Sequence, residues 1–400
     1  MSRVDTLLSD LAPEGVLFPA LGDVASISGR IVQPKAMGAQ QVQIYSLPSF
    51  DNGKVPESLP GSDVGSAKSR LSAPCILVAK LNPHIPRVWR LETVPEQSYC
   101  SPEFYPIEPD PNVLDLSYLF YFLLTKMARL SGTVTGSTNS HKRLHREDFL
   151  KLRIPLPPLE VQREIVHILD NFTSLQEDLD AELRHRRRQY SFYRNSFVAS
   201  PRGEFRRLAL GAIADFRYGY TTSAKDEGDY RFLRITDINQ WGKLSPSGAK
   251  FVEAGPGAEE YLVRSGDLLM ARTGATYGKT MLVDSDDPAV YASFLIRIRL
   301  DPNIMLPAYY WHFAQSDLYW SQANAMVSTG GQPQFNANVL KVVEIPVPSL
   351  DEQARIIALL DKFDALANDG SIGLPAEIAA RRKQYEFYRD RLLTFEEAAA

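Results

Sequence analysis

The chain has 400 residues, too many for one compact domain, so at least two are expected. Apolar residues make up 44%, enough for real cores, yet no run approaches the ~18–20 apolar residues of a membrane-spanning helix. The net charge of −4 counts against a free-standing nucleic-acid binder, whose affinity comes largely from phosphate contact, although between Arg184 and Arg207 eight arginines face a single acid, Glu204.

The longest apolar stretch, around Val113–Leu124, is interrupted by Asp115 and Ser117, so no membrane association is expected. The start Met1-Ser2-Arg3-Val4-Asp5 has an acid where a secretory leader would be basic and then apolar. Cys75 and Cys100 are isolated, with no C-x-x-C pairing. Together these point to a cytoplasmic protein with neither a disulfide framework nor a metal site.

In chain order, the first region mixes short β-rich runs with helix. Cys75–Lys80 reads as a strand and Leu114–Leu130 as a helix. Polar and basic side chains follow the strand: Lys80, Asn82, His84, Arg87, Trp89 and Arg90. Another group, Ser137–Arg143, includes Asn139, His141, Lys142 and Arg143. Next comes Ile154-Pro155-Leu156-Pro157-Pro158-Leu159, whose prolines can only precede or open a helix. Beyond it, Val161, Ile165, Ile168, Phe172, Leu175, Leu179, Leu183, Tyr190, Tyr193 and Phe197 recur mainly at alternating threes and fours, the spacing of a coiled-coil seam. Arg186 is the polar member of that seam, and no Gly or Pro falls between Pro158 and Pro201.

The second region repeats the first. Asp267–Arg272 reads as a strand and Pro307–Met326 as one helix rich in Tyr and Trp. Arg272, Thr273, Tyr277 and Lys279 follow the strand, and Gln332, Gln334 and Asn336 precede the last segment. That segment opens Ile345-Pro346-Val347-Pro348-Ser349-Leu350. Nine of nineteen positions match between Ile154–Phe172 and Ile345–Phe363, and seven of nine between Arg186–Arg194 and Arg381–Arg389. The openings Ala20-Leu21-Gly22 and Ala209-Leu210-Gly211 also correspond.

The expected architecture is therefore α+β with a pseudo-two-fold internal repeat: a globular domain over residues 1–153, a helical spacer over 154–200, a second globular domain over 201–344 and a second spacer over 345–400. A long helix with an apolar stripe needs a partner, and the second copy offers Ile356, Leu359, Phe363, Tyr385 and Tyr388. Connectivity makes the pair antiparallel. Gly370, Gly373 and Pro375 predict a break in the second helix. By themselves such helices also suit a structural spacer or a dimerisation coiled coil.

Arg, Lys, Asn and Gln are the side chains that read base edges, and Gly lets backbone approach phosphate, so the loop residues named above are candidates for DNA contact. Ordinary solvated loops carry the same residue types. Catalytic signatures fail: Gly274–Thr280 has three residues between its glycines where a phosphate loop needs four, and His141 and His145 lack the Glu of a zinc-protease helix. Asn82-Pro83-His84-Ile85 lacks the second Pro and the aromatic of an adenine-methyltransferase motif, and no glycine-rich turn for S-adenosylmethionine is present.

The I-P-x-P-x-L-x-x-Q openings, the R-[RK]-x-Q-Y-x-[FY]-Y-R blocks and the two-unit layout resemble the specificity (S) subunit of type I restriction–modification systems. Asp267–Gly274 and Ile76–Trp89 look like sequences of that family's target recognition domains. The resemblance implies a non-catalytic subunit in which each recognition domain reads one half of a split, asymmetric site in double-stranded DNA. It implies helices that set the gap and dock two modification (methyltransferase) subunits, with restriction (motor–nuclease) subunits joining the core. S-adenosylmethionine, ATP and Mg would then act in the partner subunits, with no cofactor in this chain, in a bacterial or archaeal cytoplasm. Asp180-Ala181-Glu182-Leu183 looks like one unit of the four-residue repeat that the family carries in its first helix. The alternatives are a DNA-specificity subunit of a different methylation-based defence system, and a coiled-coil scaffold without a DNA role.

Overall fold

The computed structural model describes residues 3–82, 85–129, 143–245, 247–255, 257–328 and 333–398. The fold is α+β, and its contacts gather the chain into two compact units, Met1–Glu177 with Ala380–Ala400, and Asp178–Ala379. Each unit takes part of both helical segments, so the units cut across the four consecutive segments read from the sequence.

In unit 1, helices α1 (Arg3–Leu11), α2 (Leu21–Val24), α3 (Leu47–Asp51), α4 (Leu116–Arg129) and α5 (Arg146–Leu150) accompany two sheets. The first is antiparallel, ordered β1 (Ala25–Ile27), β9 (Phe104–Pro109), β6 (Cys75–Ala79), β7 (Val88–Leu91). The second is ordered β2 (Arg30–Val32), β5 (Lys68–Arg70), β8 (Ser98–Cys100), β3 (Gln41–Tyr45), β4 (Glu57–Pro60), with β3 and β8 parallel. Strand β6 is buried along its whole length. Ile76 and Val78 enter the core with Tyr118 and Phe122 of α4, whereas Cys75, Leu77 and Ala79 pack with Tyr45 and Trp89. A strand covered on both faces reads as an unbroken apolar run, which is the pattern its sequence shows.

Between the globular parts runs α6 (Leu159–Ala199), a single helix of 41 residues. Unit 2 then repeats the first sheet with the same connectivity: β11 (Ala214–Tyr218), β17 (Leu295–Leu300), β14 (Leu268–Ala271), β15 (Thr280–Leu282). Its second sheet, β13 (Phe251–Val252), β12 (Tyr230–Leu233), β16 (Ala289–Tyr291), keeps the parallel pair and, among the described residues, has no counterparts of β2 and β5. A short ladder joins β10 (Arg206–Ala209) to β18 (Glu344–Val347). The stretch Pro307–Met326 is two helices, α7 (Pro307–Ala314) and α8 (Asp317–Met326), and not the single helix expected. Ser316 divides them: its hydroxyl donates to the Phe313 carbonyl (2.7 Å) and accepts from the Tyr319 N–H (3.4 Å), ending one helix and capping the next. After α9 (Ala337–Lys341) come α10 (Leu350–Asn368) and α11 (Leu374–Leu392), separated where the glycines predict a break. Asp369 holds that turn by accepting from the N–H groups of Ser371 (2.7 Å) and Ile372 (3.2 Å), and hydrogen bonds from Ser371 and Ile372 lower its carboxyl below the ordinary range.

The repeated opening motif has a structural cause. Gln162 is fully buried and donates to the carbonyls of Val113 (2.8 Å) and Pro157 (2.7 Å), while its own oxygen accepts from the Asp115 N–H (2.8 Å). Gln353 makes the same bracket with Ile304 (2.9 Å), Pro348 (3.0 Å) and Leu306 (2.9 Å). The glutamine satisfies one proline carbonyl of the motif, Pro157 or Pro348, inside the core, together with backbone groups from the loop that precedes the adjoining helix. Tyr118 donates to the Pro155 carbonyl (3.0 Å), and Tyr309 to that of Pro346 (3.1 Å).

The seam residues are buried in two settings. In α6, Val161, Ile165 and Leu169 are fully buried in the core of unit 1, with Ile168 packed beside them; in α10, Ile356 and Leu360 are fully buried in the core of unit 2. These residues anchor each helix to its own globular domain, because the first turns leave directly from it. Leu359 is half-buried in α10. Helix-to-helix packing is carried by aromatics. Phe172 lies 6.3 Å from Tyr385 and 5.7 Å from Tyr388 between ring centroids, and Tyr193 lies 5.3 Å from Phe363. Along α6 the partners' numbers fall, so the order is antiparallel. Tyr190 packs on His312 of α7 and shares the core of unit 2 with Ile356 and Leu360 of the second helical segment, Leu175 is 40% exposed, and Leu179 is half-buried.

Candidate nucleic-acid interface

Where β6 and β14 end, the two units build the same backbone frame. The Lys80 N–H donates to the Glu103 carbonyl (2.8 Å), as the Arg272 N–H does to that of Phe294 (3.1 Å). On the other side, the Leu144 N–H donates to the Lys80 carbonyl (2.8 Å), as the Phe335 N–H does to that of Arg272 (2.8 Å). Antiparallel bridges join Leu81 to Arg143 and Thr273 to Gln334. Lys80, Glu103 and Arg143 of unit 1 thus correspond to Arg272, Phe294 and Gln334 of unit 2.

The basic residue of each frame is pinned at its base. The Lys80 ammonium donates to the Pro102 carbonyl (2.5 Å) and sits 4.4 Å from the centre of the Tyr105 ring; burial lowers its pKa. The Arg272 Nε donates to the equivalent Ser293 carbonyl (3.0 Å), and its guanidinium lies 5.3 and 5.5 Å from the rings of Tyr218 and Phe294. Arg143 donates to both carboxylate oxygens of Glu103 (3.0 and 3.3 Å). Gln334 is exposed, and among the described residues its side-chain amide has no hydrogen-bond partner.

The other candidates fall differently. Arg87 is spent on a two-pronged pair with Asp51 (2.8 and 3.0 Å), and Arg90 on Glu92 (3.1 Å) and Asp170 (3.3 Å) beside the Phe120 ring. Thr273 is 3% exposed, too enclosed to reach a ligand through its side chain. Tyr277 donates to Asn324 (2.7 Å) and packs near Trp320. Asn336 caps α9, accepting from the N–H groups of Asn338 (3.0 Å) and Val339 (3.2 Å). Asn82 adopts φ of 50°, a left-handed turn that Asn tolerates, and Lys279 is half-buried. His84, Asn139, His141, Lys142 and Gln332 lie outside the described residues. Residues sequence reasoning missed are Glu103, Tyr218 and Phe294; Tyr218 is 43% and Phe294 51% exposed. Their local sequence carries no signal, because each is brought to the frame by a strand distant in the chain.

Among the described residues no group of three His, Cys, Asp or Glu side chains could hold a metal, and no helix is long and apolar enough to cross a membrane. Cys75 and Cys100 are buried, which pushes both thiols up to about 12.

The chain is thus a duplicated α+β protein that presents one loop frame twice. A family model for the type I restriction modification DNA specificity domain matches residues 91–185 and 204–380. The EcoR124I/EcoR124II type I restriction enzyme specificity subunit of Escherichia coli is 30% identical over 305 residues, 72% of each chain. A putative type I restriction enzyme specificity subunit of Haemophilus influenzae is 32% identical over 63% of this chain and 66% of its own. A chain solved in work on complex assembly and conformational transition of the type I R–M system shares the fold, with a TM-score of 0.63 at 18% identity over 95% of this chain and 97% of that one. The chain belongs to the type I restriction–modification specificity subunits, the DNA-sequence-recognition component of those complexes.

Proposed function

We propose that each globular unit reads one half of a split, asymmetric target in double-stranded DNA, and that the helical segments set the gap between the halves. The duplicated frame at the ends of β6 and β14 carries this reading, since two equivalent edges with different side chains suit two different half-targets. The helical segments also hold two modification (methyltransferase) subunits, to which restriction (motor–nuclease) subunits add. The chain itself performs no methyl transfer, ATP hydrolysis or cleavage; S-adenosylmethionine, ATP and Mg serve the partner subunits in the cytoplasm. Those subunits supply part of the positive clamp that a chain of net charge −4 lacks.

The test is co-expression with its modification subunits, with long-read mapping of methylated sites. A two-part motif with a fixed gap, absent when this chain is omitted, is the expected result. Methylation by this chain alone, or methylation without a two-part motif, refutes it.

A further inference from the structure

The two frames share their backbone hydrogen bonds and differ in side chains, and that difference has chemical content. The inference rests on the DNA-reading role proposed above. In unit 1 the outward pair is Glu103 with Arg143, joined at 3.0 Å, with the arginine side chain 58% and the glutamate 32% exposed. A carboxylate on a face that approaches DNA is repelled by phosphate, so it fits where a base amino group donates to it. Cytosine N4 and adenine N6 are the two amino donors in the major groove. The neighbouring arginine decides between them: guanine, opposite cytosine, offers the paired O6 and N7 acceptors that a guanidinium fork matches, whereas thymine, opposite adenine, offers O4 alone.

In unit 2 the same two positions carry no charge. The Gln334 amide has both donor and acceptor capacity, the match for adenine N7 and N6. Phe294 offers an apolar ring, half exposed, of the kind that packs on a thymine methyl group. The Arg272 guanidinium lies beside that ring and donates to the Ser293 carbonyl, which holds the strand end in place behind it. We propose that Glu103 and Arg143 read a G·C base pair in one half-target, and that Phe294 and Gln334 read an A·T base pair at the equivalent place in the other.

The test uses the full chain co-expressed with its modification subunits, with every methylated site mapped. Exchanging the pair in unit 2, Phe294→Glu with Gln334→Arg, is expected to convert one A·T position of one half-target to G·C and leave the other half-target unchanged. The reciprocal Glu103→Phe with Arg143→Gln is expected to convert one G·C position of the other half. Single variants Gln334→Ala and Arg143→Ala guard against an exchange that fails to assemble: each should relax the preference at that one position, by about 5- to 150-fold for the loss of a paired base contact. An active exchanged complex with both half-targets unaltered overturns the proposal. So do alanine variants that lose methylation evenly across all sites without relaxing any position, the pattern of phosphate contacts. A wild-type complex with no two-part motif fails the functional reading itself, and is thereby distinct.

Discussion

Gln162 and Gln353 show how one side chain can hold a junction. Each is fully buried and satisfies two carbonyls and one N–H at the point where a helical segment leaves its globular domain. Gln353→Ala leaves those groups buried without partners, at a cost of ~1–3 kcal/mol for each that water cannot reach. The expected loss of stability is about 2–4 kcal/mol, read from a urea titration of the purified chain; a change below about 0.5 kcal/mol, the level of an ordinary surface substitution, contradicts the bracket. The two cysteines give a second residue-level expectation. Burial pushes both thiols up to about 12, so at pH 8 they are neutral as well as enclosed. A thiol must be a thiolate to react. Both should resist a disulfide reagent in the native protein and react fully in denaturant, whereas rapid native labelling would show that β6 or β8 opens readily.

At the scale of elements, the long helix does two jobs with different faces and different stretches. Its first turns bury Val161, Ile165 and Leu169 in a globular core, and its aromatics meet the second helical segment. The segment Asp180–Leu183 lies between the two aromatic contacts, with Leu183 buried and Glu182 bonded to Arg186 (2.7 Å). Removing four residues shortens the helix by ~6 Å and turns its downstream part by only ~40° beyond a full turn, so each face keeps its neighbours approximately. The expected outcome is an assembled complex that methylates the same half-targets across a gap shorter by about one or two base pairs, at the ~3.4 Å rise of each. Removing two residues turns the downstream helix by ~200° and should prevent assembly. The readout is methylation of duplexes differing only in gap length, and an active four-residue deletion with its gap preference unchanged excludes the helix as the ruler. The periodicity predicted the helix correctly, and Ile165, Ile356 and Tyr190 each lie in a cluster that holds residues of the globular core as well as of the other helical segment. A stripe at threes and fours shows that a face is buried, and a globular core buries it as well as another helix does.

At the scale of the molecule, the duplication makes a half-chain experiment informative. Unit 1 includes Leu392, Leu393 and Phe395, which come from the far end of the chain. A fragment of residues 1–200 lacks them, and in the register of the repeated R-[RK]-x-Q-Y-x-[FY]-Y-R block Phe197 and Val198 are the counterparts of Leu392 and Leu393. The fragment should therefore dimerise, each copy lending the other its helix end. Light scattering at micromolar concentration should give twice the fragment mass. A folded monomer would mean that the terminal segment is dispensable to the core of unit 1.

The sequence by itself determined the duplication, the α+β class, the long helix, the break before α11 and the family. Each of these rests on local periodicity or on motifs that survive in linear form. The tertiary structure alone decided which loop residues stand at the candidate edge. It withdrew Arg87, Arg90 and Asn336 into internal hydrogen bonds, enclosed Thr273, and brought Glu103 and Phe294 beside strands that precede them by more than twenty residues. The physical reason is that a polar side chain near a strand end has two competing uses, an internal partner or a ligand. Composition is the same for both, and only the position of distant backbone and charge selects between them.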